Sequence, residues 1–246
     1  MGELIAVLSG KGGTGKTSVC AALATAMALD GKRVLCVDCD VGLRNLDISL
    51  GMSESGALSF LDVCTGDYSL SMAAQHPLIP DLYFFTAPMN CRADSIDTEA
   101  FDCFARRARE EFDFVFLDAP AGVDAGFRLT AACADRCLVV TGPGPASIRD
   151  AARVGELLEI MGKTNVRLVV NRVIGRMVSA MATTIDDMMD IAGLPLLGII
   201  PEDRNMTLAA TYSRPLLIYS RRCGSSEACM RIAQRLQGIP VPIAYR

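Results

Sequence analysis

The chain has 246 residues, 51% of them hydrophobic, and a formal net charge of −4. These figures fit one domain spanning residues 1–246 with a large core, and they exclude a disordered polyelectrolyte. No apolar run reaches the roughly 18 residues of a bilayer-spanning helix, no basic-then-apolar leader opens the chain, and the negative balance argues against indiscriminate nucleic-acid binding, so a cytoplasmic protein is expected.

Residues 4–8 form a continuous apolar run with β-branched members, as in a strand buried on both faces. After Ser9, the stretch Gly10-Lys11-Gly12-Gly13-Thr14-Gly15-Lys16-Thr17 fits the pattern G-x-x-x-x-G-K-[ST]. Residues 18–30 are rich in alanine, carry Leu23, Ala24 and Met27 at helical spacing, and stop at Gly31. A strand, a glycine-rich turn and a helix in that order make a phosphate cradle. The glycines permit the tight turn, backbone N–H groups from Gly10 to Ser18 face inward, and the helix N-terminus adds partial positive charge. Lys16 is placed to reach the β- and γ-phosphates of a nucleotide, and the Thr17 hydroxyl to ligate Mg²⁺.

Further strands are predicted at 34–38, 82–86, 114–118, 137–141, 168–171 and 196–200, with helices at 98–112, 147–161, 183–192 and 226–236. The alternation predicts an α/β fold with a doubly wound, mainly parallel sheet, helices on both faces, and its ligand at the carboxyl ends of the strands. Those ends are polar. Asp38 and Asp118 each close an apolar strand beside the cradle, where Mg²⁺ would offset their charge; Asp40, two residues on, is placed to reach an attacking water. Asn171 and Arg172 end another strand, the amide suited to a purine edge and the guanidinium to stacking or solvent. Pro201, Glu202 and Asp203 follow the last strand and offer backbone and carboxylate contacts to the same ring, although asparagine and proline also simply end strands.

Ten cysteines are scattered through segments that otherwise resemble core. The C-x-x-C pair, Cys36 and Cys39, starts on a strand, where an offset of three turns the side chains to opposite faces; buried reduced thiols are expected, with no metal or redox centre. The single histidine, His76, precedes Pro77 and is read as a solvated loop residue, which leaves no Ser–His or Cys–His mechanism.

The loop from Lys11 to Thr17, with its early second lysine, resembles the deviant Walker A motif of the MinD/ParA family of ATPases. Val37-Asp38-Cys39-Asp40-Val41-Gly42-Leu43-Arg44-Asn45-Leu46-Asp47 is similar to that family's switch I, and most of all to its MinD branch. Asp118-Ala119-Pro120-Ala121-Gly122 resembles its switch II, and Ser147-Ile148-Arg149-Asp150 the start of a helix on its dimer face. The likeness runs from residue 4 to residue 242. It implies a three-layer P-loop NTPase fold, ATP and ADP as ligands with Mg²⁺, and adenine contacts by Asn171, Arg172, Pro201 and Asp203. It also implies a switch in which ATP brings two copies face to face and Lys11 of each reaches the other's nucleotide as an arginine finger does. Asp40 would orient the water, and hydrolysis would let the homodimer part. Spatial regulation such as division-site placement would follow, with a protein activator or effector on the face carrying Arg149 and Asp150.

Two positions depart from the family pattern. MinD-like members usually carry a glutamate within a Pro-Glu pair where this chain reads Gly142-Pro143-Gly144-Pro145, which puts Gly144 in the acid's place. They also end in an amphipathic membrane helix, whereas Ile239-Pro240-Val241-Pro242 cannot be helical; Met230, Ile232, Ala233 and Leu236 before it fit a helix packed on the core. Membrane contact is therefore expected only through a partner. A nucleotide-dependent adaptor or partition-type regulator with little hydrolysis is the alternative. A ligase built on the same loop would need a second small-molecule site, for which no residue set stands out.

Overall fold

Every apolar run predicted as a strand is one in the computed structural model, which describes residues 1–89, 91–175 and 184–243. The strands are β1 (Glu3–Leu8), β2 (Val34–Asp38), β3 (Ala74–His76), β4 (Ile79–Phe85), β5 (Phe114–Asp118), β6 (Arg136–Thr141), β7 (Val166–Val173) and β8 (Leu196–Pro201). They form one sheet in the order β3-β4-β2-β5-β1-β6-β7-β8. All neighbours pair parallel except β3 with β4. The order reverses beside β1, the place where an open α/β sheet leaves a crevice at its carboxyl edge.

Both faces of the sheet are covered, which is why β1 is apolar without alternation. Ile5 and Val7 face α1 (Lys16–Leu29) and α10 (Gly224–Leu236); Ala6 and Leu8 face α5 (Ala125–Cys133) and α6 (Pro145–Ile160). Each such aliphatic side chain, fully buried, contributes about 1.5–3 kcal/mol. Farther along the second face, Phe60 of α3 (Phe60–Cys64) packs edge-on to Phe101 of α4 (Thr98–Glu111), with ring centroids 5.5 Å apart. The remaining described α-helices are α2 (Leu46–Leu50), α7 (Ile185–Ala192), α8 (Arg204–Thr211) and α9 (Leu216–Tyr219).

Boundaries differ from the sequence expectation in ways that have local causes. α1 begins at Lys16, because Gly15 is left-handed (φ 83°) and turns the loop directly into the helix. α10 begins at Gly224, and residues 239–243 are not helical. α7 begins after Thr184, which with Asp187 forms a capping box; Thr183, its predicted first residue, lies outside the described residues.

His76 is not a solvated loop residue. It ends β3, an antiparallel edge strand that sequence patterning missed, and is 3% exposed. Its Nδ1 accepts the N–H of Leu78, so Nε2 carries the proton and donates to the Leu50 carbonyl at the end of α2, 3.0 Å away. Burial lowers its pKa, and the Leu50 bond only partly restores it. The neutral ring thus stabilises the fold above its ordinary value, and that contribution is lost as the pH falls through the depressed one. His76→Ala is expected to cost about 1–3 kcal/mol in urea unfolding near pH 7, since it strands the buried Leu50 carbonyl; a change within about 0.5 kcal/mol would show that the bond carries no stability.

Candidate functional site

β1 leads through Ser9 into the glycine-rich loop, and two glycines there are required by close approaches. A Cβ at Gly10 would lie 2.8 Å from the backbone of Asp150 in α6, and one at Gly15 would lie 2.4 Å from Asn171 Nδ2. Gly10 therefore lets α6 close on the loop. Gly15 lets the buried Asn171 reach across and donate to the Thr14 carbonyl at 2.8 Å.

Parallel register sets the charges. Asp38 of β2 lies directly beside Asp118 of β5, and Asp118 beside Val7 of β1. Lys16, at the start of α1, puts its Nζ 2.6 Å from Asp118 Oδ1 and 3.4 Å from Thr17 Oγ1. Burial lowers the Lys16 pKa, but the charge and hydrogen bond of Asp118 outweigh it, so the ammonium is held above its ordinary value. The second oxygen of Asp118 is buried without a hydrogen-bond partner among the described residues. An unspent carboxylate oxygen beside a threonine hydroxyl at a phosphate loop fits a Mg²⁺ site.

Asp38 is differently engaged. Its Oδ1 accepts the N–H of Asp40 at 2.9 Å, and its Oδ2 accepts those of Asn45 and Leu46 at 3.1 Å each, so it ties the segment after β2 to the first turn of α2. Burial and then the Asp118 charge push its pKa up to about 6 against the opposing pull of those N–H groups. Asp40 is half-buried near Lys16 and Asp118; burial raises its pKa and the Lys16 charge lowers it, with a net upward shift.

The expected base-contacting residues converge on a cleft of about 290 Å³ lined by Gly15, Ser18, Asn171, Arg172, Pro201 and Asp203. Within it Asn171 already spends its amide donor on the loop, and Asp203 caps α8 through the N–H of Asn205 at 2.9 Å. Arg172, left-handed at φ 61°, pairs with Glu202 at 2.8 Å. Glu202, expected beside Pro201 and Asp203, also lines the cleft; Met206 and Thr207 line it too and were not singled out by sequence, because they sit past a strand end with no motif around them.

Lys11 lies on the outer lip, its Nζ 3.8 Å from Asp150 Oδ2 of α6, both side chains more than two-fifths exposed. Such a pair is worth about 0–1 kcal/mol, so Lys11 is easily released. Arg149 beside it is exposed. Gly144 precedes α6 as an uncapped N-cap, with nothing within 4 Å of where its Cβ would be. Among the described residues no group of three or more His, Cys, Asp or Glu side chains could hold a metal, and Cys36 and Cys39 are buried free thiols.

Residues 5–216 match the CobQ/CobB/MinD/ParA nucleotide binding domain. The septum site-determining protein MinD of Synechocystis is 34% identical over 244 residues, covering 98% of this chain and 92% of that protein. Among solved structures, the MinC:MinD cell division complex of Aquifex aeolicus superimposes with a TM-score of 0.91 at 34% identity, covering 99% of this chain and 98% of its counterpart. MinD of Pyrococcus horikoshii complexed with Mg-ADP gives 0.84 at 26% identity, covering 96% of each.

A pH dependence follows from Asp38. A carboxyl raised in the folded state stabilises the fold fully below its ordinary 3.8 and loses that contribution as the pH rises through about 6. In urea unfolding, wild type is expected to lose up to ~3 kcal/mol relative to Asp38→Asn between pH 4 and pH 7. The difference cancels the opposite contribution of His76, and a gap that does not move with pH would refute the assignment.

Proposed function

The chain belongs to the MinD/ParA family of P-loop nucleotide-binding proteins, and from that premise we propose that it is an ATP-operated dimerisation switch for spatial regulation such as division-site placement, hydrolysing ATP to ADP and phosphate with Mg²⁺. The observation that carries this reading is the buried Lys16–Asp118 pair at the mouth of the loop, with one Asp118 oxygen left unspent. The Mg-ADP of the Pyrococcus horikoshii relative supports the choice of ligand, and the MinC:MinD complex of Aquifex aeolicus supports a protein effector.

In this reading the backbone N–H groups of the loop and of the α1 N-terminus cradle the phosphates, and Lys16 turns from Asp118 to the β- and γ-oxygens. Thr17 and Asp118 would hold Mg²⁺, which neutralises phosphate charge when bound. Asp38, with three N–H groups already on its oxygens, holds switch I in place. Asp40 orients the attacking water, and no strong base is needed because phosphoryl transfer depends chiefly on position and charge. Ser18, Asn171, Arg172, Pro201 and Asp203 frame the adenine cleft. Lys11 exchanges Asp150 for the nucleotide of the second copy. The protein would act in the cytoplasm, reaching the inner face of the membrane through a partner; no helix of the described residues is long and apolar enough to cross a bilayer. Gly144, which stands where the family's glutamate is expected and leaves Asp150 as the carboxylate paired with Lys11, favours the second reading of a nucleotide-dependent adaptor with little hydrolysis.

Light scattering with ADP and with ATP tests the switch: monomer with ADP and dimer with ATP are expected. Lys11→Ala is predicted to keep ATP binding and lose dimerisation, and loss of binding itself would return Lys11 to a role in its own loop. Asp40→Ala is predicted to hold the ATP dimer while slowing turnover by about tenfold or more, and unchanged turnover would count against it. Absence of turnover under every condition, with ATP-dependent dimerisation intact, would favour the adaptor.

A further inference from the structure

The turn joining α8 to α9 carries side chains that the nucleotide site does not use. Tyr212, 62% exposed, stacks on Tyr219 with ring centroids 5.7 Å apart and planes within 15° of parallel. Around this pair stand Arg214, Arg221 and Arg222, all exposed and all without an ion pair or side-chain hydrogen bond among the described residues. α9 runs only from Leu216 to Tyr219, and the stack brings Tyr212, two residues from Arg214, against Tyr219, two and three residues from Arg221 and Arg222.

We infer that this face docks a short acidic segment of a protein partner, and that the state of the nucleotide site adjusts the fit. Guanidinium forks bind carboxylates bidentately, and a pre-stacked tyrosine pair offers rigid contact area at little entropic cost, the residue types in which binding energy concentrates. The island is small and bounded by acids. Asp30 lines the same cavity as Arg221, Glu227 lies one turn into α10, and the chain as a whole carries −4. A long polyanion or an anionic bilayer would bring those acids against like charge, whereas a short acidic segment would not.

The link to the nucleotide site is contiguous. Ser213, between Tyr212 and Arg214, is a non-glycine residue held at φ 48°, and its carbonyl lies so close to Gly51 that a Cβ there would be 2.4 Å away. Gly51 is the left-handed C-cap of α2, and Asp38 holds the N–H groups at the other end of that helix. A shift of switch I therefore moves α2 against Ser213 and re-aims Tyr212 and Arg214. This coupling rests on the nucleotide cycle proposed above; docking itself does not.

The test uses the full chain and a fluorescein-labelled 12-residue peptide of glutamates interspersed with leucine and phenylalanine, followed by anisotropy. A single-stranded oligonucleotide and phosphatidylglycerol vesicles are run in parallel. The peptide is expected to bind, and the Arg221→Glu, Arg222→Glu double variant to weaken it about tenfold or more while ATP binding is unchanged. Absence of peptide binding, or tighter binding of oligonucleotide or vesicles through the same arginines, would overturn the docking proposal. ATP in place of ADP is expected to change peptide affinity severalfold, and Ser213→Gly, which relieves backbone strain and so should fold, is expected to erase that difference. Equal affinity with both nucleotides would overturn the coupling and leave docking standing. Failure to bind ATP at all would instead sink the proposed function, with peptide binding by the nucleotide-free chain still supporting the docking surface.

Discussion

The charge arrangement at the nucleotide end of the sheet depends on one contact, the buried bridge between Lys16 and Asp118. A pair so far from water gains little net stability, since the desolvation of two ions offsets most of their attraction, but loss of either partner strands a charge and costs about 3–5 kcal/mol. The register of the parallel strands then forces Asp38 to stand beside Asp118. Two adjacent carboxylates cannot both ionise freely, and the lysine neutralises one of them. Burial first, and the Asp118 charge second, push the pKa of the other, Asp38, up to about 6, while three backbone N–H groups on its oxygens pull the opposite way. The ion pair of one strand end thus sets the hydrogen bonding of the next.

That second carboxylate reaches well beyond the site. α2 hangs between Asp38 at its N-terminus and His76, which binds the Leu50 carbonyl at its C-terminus, while its Gly51 cap rests on the backbone of Ser213. A five-residue helix has almost no stability of its own, so its position is decided by these end contacts together with Leu46 and Leu50, which are buried in the core. Under the proposed function, a movement at the Asp38 tether would make α2 the lever between the phosphates and the surface formed by α8 and α9.

The phosphate loop, the aspartate-tipped strands and the alternating architecture were legible in the sequence because each is a local pattern: glycine spacing, unbroken apolar runs, a carboxylate at the end of a run. What escaped was decided by distant partners. β3 is three residues long and antiparallel, too short for any period to show, and the burial of His76 depends on Leu50, twenty-six positions away. The tie from Asn171 to the Thr14 carbonyl, 157 positions away, was also hidden, because it depends on the missing Cβ of Gly15; it leaves the amide's second N–H and its oxygen for the cleft. The arginines around Tyr212 were hidden by the net negative charge, an average that says nothing about where the cations gather.

Under the proposed function, position in the fold, and not chemistry alone, separates the work of the loop's two lysines. Lys16 opens α1 and points into the sheet edge, where its charge is fixed by Asp118 and its ammonium can leave only if another anion takes the carboxylate's place. Lys11 stands five residues earlier on the outer lip, beside a half-exposed Asp150 at 3.8 Å, in solvent that screens the contact. A strongly held cation suits a group that must always be found at the phosphates of its own loop. A weakly held one suits a group that changes partners, because the attraction it gives up on leaving is small compared with that of a phosphate in a closed, water-poor interface.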